Sequence, residues 1–181
     1  MAGGTVAISD TGPLISAFQS DSFSLLTNVF GSIHIPAGCS EELGQHGWQD
    51  EIQAAADKLV TLQLTVNEAR KARSLARLIA EQGGSPVASA SSHMGEAQAI
   101  ALALRPVYRD DLPLLDEQAA RVIAHDQGLR LSGFPGVLLL AVQGGLISAA
   151  DLKDRLERCR EQGSHYGKRL IEQVYDMARG A

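Results

Sequence analysis

Short apolar, β-branched runs alternate with helical segments along almost the whole chain, and this alternation limits the possible folds more than any other feature. Residues 5–9 (TVAIS), 32–35 (SIHI), 59–64 (LVTLQL), 112–115 (LPLL) and 129–132 (LRLS) read as strands. Helices are predicted over 14–19, 22–30, 36–43, 48–58, 66–82, 94–104 and 117–127, with three more closing the chain over 135–143, 149–161 and 168–179. Gly31 and Gly128 stop two of them. The Gly-, Ser- and Pro-rich segment 83–93 (GGSPVASASSH) reads as a flexible loop. Parallel strands need long, usually helical, crossovers, so the pattern predicts an α/β layer fold with a largely parallel sheet. Composition agrees. The chain is 45% hydrophobic but has only four Phe, three Tyr and one Trp, so Leu, Ile, Val and Ala must build the core. Its 181 residues suit a single domain spanning 1–181.

Charge and cysteine content exclude several classes. A net charge of −5 argues against a high-affinity passive nucleic-acid binder. It argues less against a metal nuclease, whose carboxylates are neutralised when a cation binds. Cys39 and Cys159 have neither CxxC nor Cys/His spacing, so no zinc site is expected, and Cys39 reads as a buried thiol. The N-terminus lacks the basic and apolar regions of a signal peptide, and the apolar run 137–142 is too short to span a bilayer. The expectation is a soluble cytoplasmic protein with no membrane contact.

Four acids have settings suited to ligating a metal: Asp10 (VAISDTGPLIS), Glu42 (IHIPAGCSEELG), Glu96 (HMGEAQAIALAL) and Asp116 (LPLLDEQAARVIA). Asp10 and Asp116 follow predicted strands. In parallel α/β sheets, ligands bind in the crevice at the carboxyl ends of the strands, so these two are expected to share one site. Hard cations such as Mg²⁺ take oxygen ligands. Without metal, each like-charge pair at ~4 Å costs about 4 kcal/mol at an effective dielectric of 20, so a cluster either binds cations or raises its own pKa values. Each acid also has a plainer reading. Asp10 and Asp116 suit helix capping, Glu117 competes with Asp116, and Glu41 competes with Glu42. Glu96 fits the positive end of a helix dipole.

The motifs around these acids, VAISDTGPLIS, the 35–43 stretch (IPAGCSEEL), GEAQAIALAL and the run from Leu114 to Ile147, together resemble the PIN-domain family. More narrowly, they look like the branch related to VapC-type toxins, in which the third acidic motif reads GEA. The resemblance covers about residues 6–147. It implies a three-layer α/β/α fold around a parallel sheet of four or five strands. It also implies an Mg²⁺- or Mn²⁺-dependent endoribonuclease, with the toxin role in a toxin–antitoxin pair as the finer expectation. Asp10, Glu42, Glu96 and Asp116 match the family's four acids, Thr11 its hydroxyl residue after the first acid, and Arg121 a basic position five residues past the fourth. Many PIN nucleases have Asp at the third position, where this chain has Glu96. The implied partners are RNA, an antitoxin protein and a second copy in a homodimer.

Two further classes compete. One is a PIN-fold interaction module without catalysis, motivated by the acidic net charge and by Glu96. The other is a Mg²⁺-dependent phosphatase, which needs an Asp-x-Asp pair, whereas Asp10 is followed by Thr11 and Gly12. Arg121 suits either a phosphate contact or a salt bridge to Asp116 or Glu117. Arg70, Arg73 and Arg77 share one helix face that reads as solvated, and His93 is a lesser candidate for substrate contact. The amphipathic pattern from about 149 onward predicts helices packed on the domain or on a partner.

Overall fold

The computed structural model describes residues 5–180. Four short strands, β1 (Val6–Ser9), β2 (Ser32–Pro36), β3 (Leu59–Leu62) and β4 (Leu112–Leu114), form one sheet in the order β3-β2-β1-β4. All three pairings are parallel, with Val6 opposite Ser32, Ile33 opposite Leu59, and Ser9 opposite Leu114. The chain builds outward from β1 through β2 to β3 and then returns to place β4 on the other side of β1. The strand order therefore reverses between β1 and β4, and their carboxyl ends flank the switch point.

Helices cover both faces. α1 (Thr11–Gln19), α2 (Phe23–Phe30), α3 (Ala37–Gln45) and α4 (Gln49–Ala54) come from the first half of the chain. α5 (Val66–Gln82), α6 (Met94–Ala103) and α7 (Gln118–Asp126) follow, and α8 (Phe134–Gln143), α9 (Ala149–Glu161) and α10 (Lys168–Arg179) close the chain. Adjacent strand residues point to opposite faces, which divides the core. Ala7, Ile33 and Ile35 pack with Leu14, Leu26, Phe134, Leu152 and Ile171 on one side. Ile8 packs with Leu102 and Tyr108 on the other, beside a helical cluster of Leu75, Ile79, Ile100 and Ile123. The result is the expected α/β/α layering with a four-stranded parallel sheet.

Local chemistry explains several boundaries. α5 starts at a capping box, where Thr65 Oγ1 accepts from the Glu68 N–H (3.2 Å) and Glu68 Oε2 accepts from the Thr65 N–H (2.7 Å). α9 begins the same way with Ser148 and Asp151. Among the described residues, no helix is long and apolar enough to cross a membrane.

Some bounds shift by two or three residues, as where α1 begins at Thr11 and β3 ends at Leu62, and three segments differ more. The segment 129–132 is not a fifth strand but a single parallel bridge between Leu114 and Ser132. Pro113 and Leu115 face this segment. The Pro113 carbonyl accepts from the Ser132 N–H and the Leu115 N–H donates to the Ser132 carbonyl (both 2.9 Å), but Pro113 has no N–H to add the next bond toward Arg130. The 83–93 loop instead contains a 3₁₀ helix over Val87–His93, in which Ser89 and Ser92 hydroxyls bond carbonyls three residues back (2.6 and 2.7 Å). The helix expected over 48–58 shortens to Gln49–Ala54.

Ile33 in β2 is fully buried. Ile33→Ala is expected to cost about 2–5 kcal/mol. Urea unfolding should show the midpoint falling with an unchanged slope.

Candidate active site

Asp10 leaves β1 at the switch point and occupies the position before α1 with extended backbone (φ −85°, ψ −171°). It does not cap that helix, because its side chain takes no hydrogen bond from the first turn. The residue is 4% exposed, and its Oδ1 is buried with no hydrogen-bond partner. Burial drives its carboxyl well above the ordinary range, and the neighbouring charges of Glu96, Asp116 and Glu42 push the same way.

β4 delivers Asp116 to the same place. The Asp10 N–H reaches the Leu114 carbonyl (3.4 Å), which ties the two strand ends together. Glu117, not Asp116, caps α7, with its Oε2 accepting from the Ala120 N–H (2.6 Å). Asp116 is left to other partners. Its Oδ1 accepts from the Phe134 N–H (2.8 Å) at the start of α8, and its Oδ2 accepts from the Tyr166 hydroxyl (2.6 Å). Burial raises this carboxyl, while those two donors and the nearby Arg121 charge restrain the rise. Gly133 makes room, since a Cβ there would lie 2.5 Å from Asp116 Oδ1.

The two glutamates arrive on helices. Glu42 lies on α3 and accepts the Thr11 hydroxyl proton at Oε2 (2.8 Å), whereas Glu41 is exposed to solvent. His46, one turn later, lies 3.8 Å from Glu42 Oε1. Glu96 lies in the first turn of α6. Burial raises its carboxyl, and its own backbone N–H and His93 partly offset this. Gly95 permits close packing between these elements. A Cβ at Gly95 would fall 3.1 Å from Glu42 Oε2 and 3.7 Å from Thr11 Oγ1.

All four acids, Thr11 and Arg121 line one cavity of about 1090 Å³. Arg121 donates to the Leu115 carbonyl (2.8 Å). Among the described residues it makes no ion pair with Asp116 or Glu117, so the salt bridge considered from sequence does not form. Four buried side-chain polar atoms lack partners among the described residues, and three of them, on Asp10, Gln19 and Ser164, belong to cavity-lining residues. Buried polar groups are normally satisfied, so this concentration marks where the protein leaves polar capacity open. Sequence reasoning missed Tyr166, Ser16 and Gly133, which also line the cavity. The available signals were slight: a lone Tyr in the SHYGK turn between two predicted helices, and a Gly directly before Phe134-Pro135. The Arg70, Arg73 and Arg77 face is exposed, and none of the three lines the cavity.

Among the described residues, no three His, Cys, Asp or Glu side chains form a ready-made metal cage. Mg²⁺ does not require one, since it keeps several waters and commonly takes one or two carboxylates. The donors here are all oxygens, and Asp10 supplies an unpartnered one, so the residues fit a hard divalent cation.

Fold and cleft together define an α/β protein with a carboxylate-lined crevice at its topological switch point. A family model for the PIN domain matches residues 6–179, and the chain belongs to the PIN-domain family. PIN domains are generally nucleases that act on RNA with divalent metal ions. Comparison with curated proteins and with solved structures returned no match.

A carboxyl whose pKa is higher in the folded than in the unfolded state contributes stability below the unfolded value, and that contribution is lost as pH rises through the folded value. Asp10 is such a group, with an ordinary value of 3.8. With chelator present, Asp10→Asn should therefore raise stability at pH 7–8, on the order of 1–2 kcal/mol. The gain should shrink as pH falls through the raised folded-state value of Asp10 and be smallest by about pH 4, where the folded protein already carries the proton. Thermal melts of both proteins across this range check the sign.

Proposed function

We propose that this chain is a metal-dependent endoribonuclease of PIN type that hydrolyses RNA phosphodiesters, with Asp10, Glu42, Glu96 and Asp116 holding Mg²⁺ or Mn²⁺. One observation carries this reading: Asp10 is almost fully buried, has an unpartnered oxygen, and is surrounded by the charges of the three other acids. Such a carboxyl stays ionised only with compensation, and a cation provides it. Bound there, the ion would supply Lewis-acid polarisation of the scissile phosphate and stabilise charge on the leaving oxygen.

The chain's own groups have separable tasks. Thr11 fixes one oxygen of Glu42 through its hydroxyl. Arg121, anchored on the Leu115 carbonyl, places a positive charge at the cleft for a substrate phosphate. The acidic cleft repels RNA until its charge is neutralised, so metal binds before substrate.

The finer reading places the chain in the VapC-like branch. It is a single PIN-like domain over 1–181, cytoplasmic, homodimeric, and the toxin of a toxin–antitoxin pair held in check by an antitoxin protein. The resemblance of the GEA motif carries this finer reading, and within it Gly95 lets α6 approach Glu42 closely. Glu96 at the third acidic position keeps one other reading in play, a PIN-fold interaction module without catalysis.

RNA cleavage in Mn²⁺ separates the two. Asp10→Asn and Asp116→Asn are each expected to lower the rate on the order of 100-fold or more while circular dichroism stays native. Full cleavage by the double variant would falsify the assignment. Absence of calorimetric Mn²⁺ binding at millimolar metal, with no RNA cut, would favour the module.

Gly133→Ala provides an independent check. The added methyl must displace Asp116 Oδ1 or the α8 N-terminus. Cleavage is expected to fall at least tenfold, roughly the cost of disturbing a ligand's supporting partners. Unchanged cleavage would show that the orientation of Asp116 does not matter.

A further inference from the structure

The hairpin of α9 and α10 lies outside the sheet yet reaches the acidic cleft. Tyr166, in the turn between these helices, is 6% exposed, and its ring stacks on Phe134 with centroids 6.4 Å apart and planes at 23°. Its hydroxyl lies 2.6 Å from Asp116 Oδ2 and 2.8 Å from Ser16 Oγ. A phenol has one proton to give, and an ionised carboxylate can only accept. The Tyr166 proton therefore goes to Asp116, and the phenol oxygen accepts from Ser16.

Asp116 is thus held at both oxygens, by the Phe134 N–H on one and by Tyr166 on the other. Rotation of the carboxylate would break one of these bonds. Each oxygen keeps a lone pair free for a cation. The position of Tyr166 is itself fixed from several sides. Arg155 on α9 donates to the Ser20 and Asp21 carbonyls (3.0 and 2.9 Å) and to Ser22 Oγ (2.8 Å), locking the hairpin onto the turn after α1. The Cys159 thiol donates to the Ser16 carbonyl (3.3 Å), and Leu152, Leu156, Ile171 and Val174 are buried beneath.

We propose that Tyr166 is a positioning residue: through its hydroxyl, the C-terminal hairpin sets the orientation in which Asp116 meets a divalent cation. The proposal rests on the nuclease reading above. The first three acids come from the N-terminal 96 residues, so on this view the site is incomplete without a side chain contributed seventy positions later.

The test uses the full chain. Tyr166→Phe removes only the hydroxyl and keeps the stacked ring, so its circular dichroism should match wild type. Calorimetric Mn²⁺ affinity is expected to weaken by about 10- to 100-fold. The kcat for RNA at saturating Mn²⁺ should fall about tenfold with KM for RNA little changed, a split that a purely structural role would not produce. Ser16→Ala keeps the phenol but removes its second partner, and should weaken Mn²⁺ affinity by a smaller factor. Wild-type Mn²⁺ affinity and kcat in both variants, with an active parent, would overturn this proposal alone. A parent that neither binds Mn²⁺ nor cuts RNA would overturn the nuclease reading and this proposal with it.

Discussion

The burial of Asp10 at the point where strand order reverses is the constraint that organises the rest of the molecule. Its carboxylate is removed from water, has an oxygen without a partner, and faces the charges of Glu96, Asp116 and Glu42. An uncompensated buried charge is among the most unfavourable things a fold can contain. The surrounding structure must therefore be rigid enough to hold it, and the two flanking strands are tied together through the Asp10 N–H and the Leu114 carbonyl. Stability given up at a binding site is usual in functional proteins.

The four acids are not equivalent. Asp116 is gripped at both oxygens, Glu42 at one, and Asp10 is left open on one side. This grading suits a site with one rigid ligand and one carboxylate whose capacity waits for a cation. Two glycines make it sterically possible. Gly133 allows the Asp116 oxygen to approach the α8 N-terminus, and Gly95 lets Glu42 and Thr11 crowd against the start of α6. Both were visible in the sequence as glycines, but neither could be linked to a particular carboxylate without the fold.

Much of the fold was legible because its signals are local. Period-two and helical patterns placed β1, β2, β4 and α5 to within a residue or two, and Ser148 and Thr65 sit where helix starts require them. The failures were of a different kind. The segment 129–132 has the composition of a strand, but it pairs with β4 only through one bridge, and Pro113, on another segment, has no N–H to extend it toward Arg130. The serines of 83–93 suggested a loop, but their hydroxyls close 3₁₀ turns packed near α5 and α6. At the cleft, composition could not choose between Glu41 and Glu42, or between Asp116 and Glu117 for the cap. Exposure of Glu41 and the Ala120 N–H bond of Glu117 decide both.

By itself, the sequence determined the alternation of elements, the layered α/β class, and the expectation that Asp10 and Asp116 emerge at strand ends. These follow from residue periodicity and from turn chemistry over a few neighbours. Only the tertiary structure decided that β4 pairs with β1 and not with β3, and so which strand ends flank the switch point. Only it brought Glu42 and Glu96 into the same cavity, denied Asp10 a capping role, and sent Tyr166 from the far end of the chain to Asp116. The reason is physical: those contacts join residues from about 30 to more than 100 positions apart, and their existence depends on strand order and helix packing, which no local pattern encodes.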